Sequence, residues 1–423
     1  MSWLGSFVSC GRPGYDGAMA ELAEMGKGKI AWAQAHMPVL SRVARELARS
    51  GALAGLRVAI SVHLEAKTAC LALALRQAGA EVAVSGSNPL STQDDVALAL
   101  AKEGIRVNAR RGESPEEYLE HLRETLSIQP QVVLDDGGDL TALLHGEYKE
   151  LGRELLGICE ETTTGVVRAR KLAARGRLCW PVVAVNDARM KHLFDNRYGT
   201  GQSAWDAIMR ATNLLVAGKE VVVAGYGWCG RGIALRARGL GARVTVCEVD
   251  PVRAAEALMD GFSVAPMAQA IRKADLLVTA TGCRDVVTFE HLLSAKDGLI
   301  LANAGHFDVE IDVRGLRGRA RGRRVREEVE EFTLPGGKRV YLLAAGRLVN
   351  LVAGDGHPVE IMDLSFSLQA LSLAWLAQGG AGLPPGVYPV PPEVDERVAR
   401  LFLESFNVQI DALTPGQRRY LGP

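Results

Sequence analysis

Lys191 and Asp195 are separated by four positions in the chain, so on a helix their side chains share one face. Such a pair can be an ordinary ion pair on the surface. It can also be a lysine whose pKa is tuned by its neighbour for proton transfer at a hydroxyl group. The spacing alone leaves both interpretations open.

Other polar groups follow apolar runs that predict strands. His63 comes directly after the run 56–62, and a cluster of aspartates that includes Asp136 comes after the run 131–134. The carboxyl ends of parallel strands are where α/β proteins bind ligands. The aspartates could equally cap a turn, and His63 and His306 could be core histidines.

A glycine-rich turn lies in the middle of the chain. The apolar run 221–224 predicts a buried strand and is followed by Gly225, Gly227 and Gly230. In a dinucleotide-binding turn these glycines permit the turn itself, the approach of a pyrophosphate and close packing of the next helix. Glu248 lies about 20 residues further on, where an acid can bind ribose hydroxyls and repel a 2′-phosphate. The pattern therefore favours NAD over NADP.

Composition sets broad limits. The chain has 423 residues, 48% of them hydrophobic, with 49 basic and 49 acidic side chains. This is typical of a soluble protein of two or three domains and indicates no nucleic-acid or membrane partner. The arginine-rich stretch 314–326 is followed by acidic residues, which favours a solvated surface.

Cysteine usage and hydropathy indicate the compartment. The seven cysteines have no paired spacing, and no His/Cys cluster has the spacing of a zinc site, so no metal is predicted. We find no apolar stretch of about 18 residues. A cytoplasmic location is therefore expected.

From Leu56 onward, predicted strands and helices alternate. This order predicts an α/β fold with two Rossmann-like parallel-sheet domains. The dinucleotide domain is predicted at 200–350, inserted in a substrate domain formed by 1–199 and 351–380. Residues 381–423 are predicted to form a short C-terminal tail.

Taken together, the motifs closely resemble those of the S-adenosylhomocysteine hydrolase family, in order and over nearly the whole chain. They are DDGGDLT at 135–141, EETTTG at 160–165, ND at 186–187, FDN at 194–196, GYG at 225–227, GHFDVEID at 305–312 and GRLVN at 346–350.

The resemblance implies reversible hydrolysis of S-adenosyl-L-homocysteine to adenosine and L-homocysteine. In this family bound NAD oxidises the 3′-hydroxyl, which acidifies the C4′ hydrogen and permits elimination of homocysteine. Water then adds at C5′, and the ketone is reduced again. An NAD-dependent dehydrogenase with net oxidation of its substrate is the alternative from another class.

Site residues follow from the resemblance by matching position. Lys191 and Asp195 would serve the 3′-hydroxyl, Asp136 would be the acid and base at C4′, and His63, helped by His306, would handle protons on sulfur and water. Further substrate and positioning residues would be Glu65, Lys67, Glu161, Asn186 and His357. NAD would be bound by Thr162, Thr163, Thr164, Asn196, Gly225, Gly227, Trp228, Cys229, Gly230, Arg231, Gly232, Glu248, Arg253, Ala304, Gly305, His306 and Asn350.

Departures from the commonest family pattern concern the purine and the cofactor. Glu65 and Lys67 stand close to the purine, where many members have threonine and glutamine or glutamate. A lysine donor suits a carbonyl at purine C6, so S-inosyl-L-homocysteine is the alternative substrate. Arg253 replaces the asparagine usual near the adenosine ribose of NAD, and Thr200 stands where some relatives have cysteine.

The C-terminus also differs from that of longer members. The chain ends at Pro423 without the extension containing lysine and tyrosine that those members pass into a neighbouring NAD site. A homotetramer is expected by resemblance, with this cofactor contact altered.

Overall fold

The first sheet is built from apolar runs that alternate with helices along the chain. In the computed structural model, which describes residues 15–379 and 382–422, its strands are β1 (Arg57–Ser61), β2 (Glu81–Ser85), β3 (Arg106–Asn108), β4 (Val132–Asp135), β5 (Gly157–Glu160), β6 (Val182–Ala184) and β15 (Val387–Pro389). Their order is β15-β6-β5-β4-β1-β2-β3, and all neighbouring pairs are parallel.

Both faces of this sheet are covered. Val58 and Ile60 belong to one core cluster, whereas Ala59, which alternates with them on β1, belongs to another. Side chains alternate between the two faces of a strand, so helices must pack on both sides. This double covering explains why the strand reads as a continuous apolar run.

The strands of a second sheet lie between β6 and β15 along the chain. Its strands are β7 (Glu220–Ala224), β8 (Arg243–Cys247), β9 (Ser263–Val264), β10 (Leu276–Thr279), β11 (Leu299–Asn303), β12 (Arg321–Arg326), β13 (Val329–Thr333) and β14 (Arg339–Leu343). They are ordered β12-β13-β14-β11-β10-β7-β8-β9, with antiparallel pairing only at β12–β13 and β13–β14. The predicted α/β class with two Rossmann-like sheets is confirmed.

The arginine-rich stretch begins in the helix Val313–Arg319 and continues as β12, an edge strand of the second sheet. All residues of β12 are exposed, and Arg323 Nε lies 2.7 Å from Glu331 Oε1 on the neighbouring strand. The interpretation as a solvated surface is confirmed.

The helices before the second sheet are Tyr15–Ala35, Pro38–Ser50, Ala66–Gln77, Asp94–Lys102, Pro115–Leu126, Asp139–Leu144, Thr163–Ala174, Arg189–Lys191 and Thr200–Thr212, with a π-helix at His192–Gly199 and 3₁₀ turns at Lys149–Gly152 and Val185–Asp187. Those that follow are Trp228–Gly239, Pro251–Met259, Met267–Ala270, Phe289–Ser294, Val313–Arg319, Val349–Val352, Val359–Gly379, Pro392–Ser405 and Pro415–Leu421, with a 3₁₀ turn at Ala344–Gly346.

The helix Val359–Gly379 is long and apolar enough, by length and composition, to cross a membrane, although the sequence predicted no such stretch. However, 78% of its most apolar window is buried inside the protein. Leu364, Phe366 and Leu368 belong to the core of the first sheet. We therefore describe it as a core helix.

The predicted domain limits remain a proposal, and residues 1–14, 380, 381 and 423 lie outside the described part. One observation bears on the predicted tail. Strand β15 pairs with β6, and Val398 and Leu401 of the helix Pro392–Ser405 are buried in the first core. Residues 387–405 therefore pack with the first sheet.

The glycine turn after β7 has the geometry that its sequence predicts. Gly225 has φ +95°, and a Cβ on Gly230 would lie 1.9 Å from the Gly225 carbonyl oxygen. A Cβ on Gly227 would meet only the Arg253 side chain within 4 Å, at 3.6 Å. The first glycine therefore forms the turn, the second leaves room for a ligand, and the third permits close helix packing.

We call the part of the protein built on the first sheet the first domain and the part built on the second sheet the second domain. We expect Gly230→Ala to destabilise the second domain by about 1–3 kcal/mol or more, because the methyl group would overlap a backbone oxygen that cannot move easily. Gly239→Ala, in the same helix but with nothing within 4 Å of the added Cβ, is the matched control and should stabilise slightly. Urea unfolding of both variants measures the difference. Equal unfolding midpoints would contradict this interpretation of the turn.

Candidate functional site

A cavity of about 1380 Å³ lies between the two sheets. Both regions of the chain line it: His63, Asp136 and Lys191 before the second sheet, and Glu248 and His306 within it. Every residue predicted for the site lines this cavity except Gly230, Arg231 and Gly232.

These three residues contact the protein instead. Gly230 packs against the turn, and a Cβ on Gly232 would lie 1.8 Å from the Arg197 carbonyl oxygen. The Arg231 guanidinium lies over the Trp228 ring, 5.1 Å from its centroid, and also pairs with Glu256. The prediction that they contact NAD stays a prediction.

Asp136 is at the centre of one polar cluster. Its Oδ2 accepts a hydrogen bond from Ser87 Oγ at 3.0 Å and lies 3.4 Å from His63 Nε2. His306 Nδ1, from the second domain, is 3.9 Å from Oδ1. The neighbouring Asp135 instead accepts from Thr141 N and Oγ1, so it caps the helix Asp139–Leu144. Both sequence interpretations therefore apply, to different aspartates.

The two ring nitrogens of His63 face different partners. Nδ1 is 2.6 Å from Ser91 Oγ, whose hydroxyl can donate either to this nitrogen or to the Asn88 carbonyl oxygen 3.0 Å away. In the tautomer with its proton on Nδ1, Nε2 can accept a proton beside Asp136. Burial lowers the pKa of His63 to about 4, although the Asp136 carboxylate opposes this shift.

We expect His63 to make folding less favourable in acid. Its pKa is about 4 when folded and about 6.5 when unfolded, so between these values only the unfolded chain binds the proton and stability falls as pH falls. The effect is on the order of 3 kcal/mol. Urea unfolding between these pH values should show a steeper loss for the wild type than for His63→Gln. Parallel pH dependences would contradict the lowered pKa.

Lys191 is at the centre of a second cluster. Its Nζ donates to Asp195 Oδ1 at 3.0 Å and to Asn196 Oδ1 at 3.1 Å, and lies 3.4 Å from Glu161 Oε1. Lys191 directly precedes the π-helix His192–Gly199. The wider turn of a π-helix brings the fourth and fifth following residues to the same ammonium group.

The charges of this cluster are strongly coupled. Burial alone would lower the pKa of Lys191, but the carboxylates of Asp195 and Glu161 outweigh it and the pKa is raised. For Asp195 burial acts in the opposite direction and favours a raised pKa. The positive charges of Lys191 and His357 nevertheless hold the pKa of Asp195 well below its ordinary value. For Glu161 burial prevails and raises the pKa to about 7. Lys191 and Asp195 are thus an ion pair, and Glu161 is the member that can take up a proton.

Residues outside the predicted motifs complete this cluster. Ser365 Oγ donates to Asp195 Oδ2 at 2.8 Å, and Gln369 Nε2 donates to Glu161 Oε2. His357, which the sequence did predict, lies with Nδ1 3.3 Å from Asp195 Oδ1. Ser365 and Gln369 gave no sequence signal because they lie within an apolar helix, and Ser87 likewise follows a strand without a distinctive motif.

Glu65 and Lys67 form a buried ion pair at the edge of the cavity. Lys67 Nζ is 2.8 Å from Glu65 Oε2 and donates to the Asp355 carbonyl oxygen at 2.7 Å. Glu65 also caps the helix Ala66–Gln77, accepting from the backbone N–H groups of Lys67 and Thr68. An ammonium group has three donors, so one remains for a ligand.

The cavity fits a dinucleotide. Glu248 directly follows β8 and accepts from Tyr226 N at 2.7 Å, so the carboxylate is held beside the glycine turn. Asn350 Oδ1 is buried and has no hydrogen-bond partner among the residues that the structure describes, although Asn350 lines the cavity. Buried polar atoms without partners are costly, and hydroxyl or amide groups of a ligand would satisfy them.

The side of the cavity formed by the first domain also supplies polar groups. Thr162 caps the helix Thr163–Ala174 by accepting from Gly165 N at 3.1 Å, and it also lines the cavity. Thr163 Oγ1 donates to Asn186 Oδ1 at 3.3 Å. From the second domain, Asn303 holds the following loop by accepting from Gly305 N at 2.8 Å.

His63, Asp136 and His306 have ligand atoms within 4.8 Å of one another, close enough to share a metal ion. The sequence predicted no metal because spacing rules detect only ligands that are close in the chain, and these three come from three different strand ends. Their proximity equally suits proton transfer, and it does not by itself indicate an ion.

Comparison with known proteins identifies the family. Residues 15–152 match S-adenosyl-L-homocysteine hydrolase, and residues 196–356 match the NAD binding domain of S-adenosyl-L-homocysteine hydrolase. The chain belongs to the S-adenosyl-L-homocysteine hydrolase family. Its cofactor is NAD, as the glycine turn predicted.

Curated relatives cover nearly the whole chain. It is 58% identical to the adenosylhomocysteinase of Thermotoga maritima, over 94% of this chain and 98% of the relative. It is 55% identical to the S-inosyl-L-homocysteine hydrolase of Methanopyrus kandleri, over 95% of each chain. An adenosylhomocysteinase of Archaeoglobus fulgidus is also 55% identical, over 94% of this chain and 98% of the relative. The family is therefore an enzyme family whose members carry two substrate names.

Proposed function

We propose that this protein reversibly hydrolyses S-adenosyl-L-homocysteine to adenosine and L-homocysteine. The observation that carries the proposal is the presence of two proton-transfer clusters, around Lys191 and Asp136, in one cavity with a dinucleotide-binding turn. A thioether at a saturated carbon is otherwise a poor substrate for hydrolysis, because neither the carbon nor the leaving group is activated.

NAD would be held at the phosphates by the turn Gly225–Gly227 and at the ribose by Glu248, with Asn350 and the three threonines 162–164 nearer the substrate. When bound, it supplies reversible oxidation of a secondary alcohol. The remaining work is done by side chains, which must bind the sugar and move protons at three of its positions.

Lys191 would serve the 3′-hydroxyl. Its pKa is raised, so it carries a proton that it must release before it can accept another. Glu161, 3.4 Å away and with its pKa raised to about 7, is the acid placed to receive this proton. Because the pKa of Lys191 is the higher of the two, the neutral amine is a short-lived species of the reaction. The neutral amine then takes the hydroxyl proton while Asp195 keeps the new ammonium in place.

Asp136 would take the proton at C4′ once C3′ is a ketone. His63 Nε2 is 3.4 Å away, so in the tautomer that carries its proton on Nδ1 it can receive this proton and deliver it to the departing sulfur. When water adds at C5′, His63 Nε2 accepts a proton from it and passes that proton back to Asp136, which returns it to C4′. His306, from the other domain, would assist. The sum is one water consumed and one thiol and one alcohol released.

Two purines, adenine and hypoxanthine, are candidates for the base of the substrate. Lys67 has one N–H free for the cavity, and a donor suits the carbonyl at C6 of hypoxanthine better than the amino group of adenine. Relatives of both names have nearly equal identity to this chain. S-inosyl-L-homocysteine is therefore the second candidate substrate.

Purified protein should be mixed with each substrate while homocysteine release and the absorbance of NADH are followed. Homocysteine without accumulating NADH supports the hydrolase. Stoichiometric NADH would instead support a dehydrogenase. The ratio of kcat/KM for the two substrates decides the purine, and Lys67→Gln should shift that ratio toward the adenosyl compound if Lys67 reads C6.

We also propose a cytoplasmic location and a homotetrameric assembly. The location is inferred from the unpaired spacing of the cysteines, and the assembly is inferred from membership of the family.

A further inference from the structure

The core helix Val359–Gly379 carries two buried polar residues, Ser365 and Gln369, on the side that faces the Lys191 cluster. Ser365 is 0% and Gln369 is 2% exposed. The two are four positions apart, so they lie on one face of the helix, one turn apart. The large majority of side-chain polar groups buried at such depth in proteins have hydrogen-bond partners.

Each of these side chains contacts a different carboxylate of the Lys191 cluster. Ser365 Oγ donates to Asp195 Oδ2 at 2.8 Å, and Gln369 Nε2 donates to Glu161 Oε2. The oxygens left for Lys191 are Asp195 Oδ1 at 3.0 Å and Glu161 Oε1 at 3.4 Å. The helix therefore determines which oxygen of each acid faces the lysine.

The two contacts differ in what they allow. A serine hydroxyl that donates to Asp195 favours the ionised acid. The amide of Gln369 can present either N–H or carbonyl, and its Oε1 has no hydrogen-bond partner within residues 15–379 and 382–422. Rotating the amide would break no other bond of that oxygen, so it could accept from a protonated Glu161 as readily as it donates to an ionised one.

We propose that Ser365 and Gln369 are positioning residues: Ser365 holds Asp195 as the fixed anion beside Lys191, and Gln369 lets Glu161 alternate between its two protonation states. This inference rests on the proposed function, in which Lys191 must release a proton before serving the 3′-hydroxyl. It assigns that proton to Glu161 and gives the apolar helix a part in catalysis.

The decisive variant is Gln369→Met, which keeps length but removes both hydrogen-bonding groups. We expect kcat to fall about tenfold to hundredfold, as for other losses of positioning, while KM changes much less. Without the donated hydrogen bond the pKa of Glu161 should rise. The part of the pH dependence of kcat that follows the titration of Glu161 should therefore move to higher pH. Ser365→Ala should lower kcat, and Ser365→Thr should restore it.

Ser367→Ala is the matched control. Ser367 is 0% exposed on the same helix, and its hydroxyl has no partner, so its loss should leave kcat and the pH profile unchanged. Thermal unfolding of all variants separates misfolding from mispositioning. If Gln369→Met does not fold, Ser365→Ala takes its place as the test variant.

A second readout does not need turnover. Calorimetry should show that the wild type binds adenosine more tightly than 3′-deoxyadenosine, and that this ratio shrinks in Ser365→Ala and Gln369→Met. An inactive wild type would contradict the proposed function. An active wild type whose folded Gln369→Met variant keeps its kcat, pH profile and binding ratio would overturn this inference.

Discussion

Asp136→Asn is expected to reduce kcat for hydrolysis about 10³-fold or more, which is within the range for loss of a general acid and base. An amide has the shape of the carboxylate but cannot accept the C4′ proton. Its Oδ1 or Nδ2 would still reach Ser87 Oγ, which lies 3.0 Å from the native Oδ2. The defect should therefore be chemical, with the fold retained.

The informative measurement is which step of the reaction the Asp136→Asn variant can no longer carry out. Oxidation at C3′ depends on Lys191 and not on Asp136, so a single turnover should still produce an NADH absorbance that rises and then persists. Homocysteine should not be released. NAD affinity, measured by fluorescence or calorimetry, should equal that of the wild type.

Asp139→Asn is the matched control for this prediction. Asp139 is in the same turn, but it accepts from Arg168 Nη1 at 2.7 Å and Tyr118 Oη at 3.1 Å and does not line the cavity. It should lose some stability and keep its kcat. Substantial homocysteine release by Asp136→Asn would remove Asp136 from its proposed role.

The sequence predicted the strands and the glycine turn well because both depend on local patterns. The run before Gly225 is apolar since β7 is buried on both faces, and Gly225 and Gly230 are required by a positive φ and by a close backbone contact. Such requirements act on single positions, so residue type reveals them directly.

The contacts between clusters could not be predicted in this way. The π-helix His192–Gly199 brings Asn196 as well as Asp195 to Lys191, yet no residue preference distinguishes it from an α-helix. Ser365 contacts Asp195 across 170 positions of the chain. Only the packing of the core helix against the first sheet places it there, and an isolated serine in an apolar run carries no sign of it.

Lys191→Met should also reduce kcat at least about 10³-fold, but at an earlier step. Methionine fills a similar volume and cannot move the proton of the 3′-hydroxyl, so C3′ should not be oxidised. A single turnover should then give neither NADH absorbance nor homocysteine. Lys149→Met, at an exposed position, controls for loss of a lysine. NADH formation at the wild-type rate would contradict the role of Lys191.

The stability of Lys191→Met tests the ion pair independently of turnover. In the wild type Lys191 holds the pKa of Asp195 below its ordinary value, so this contribution to stability is lost as pH falls through that lowered pKa. In the variant burial is no longer opposed by the ammonium, the pKa of Asp195 should rise, and protonation in mild acid should relieve the buried charge. The stability gap between variant and wild type, about 3–5 kcal/mol at neutral pH for a broken buried pair, should therefore narrow toward about pH 5. A gap that stays constant over this range would mean that the lysine and the aspartate are not coupled, and then Asp195 could not hold the new ammonium during oxidation.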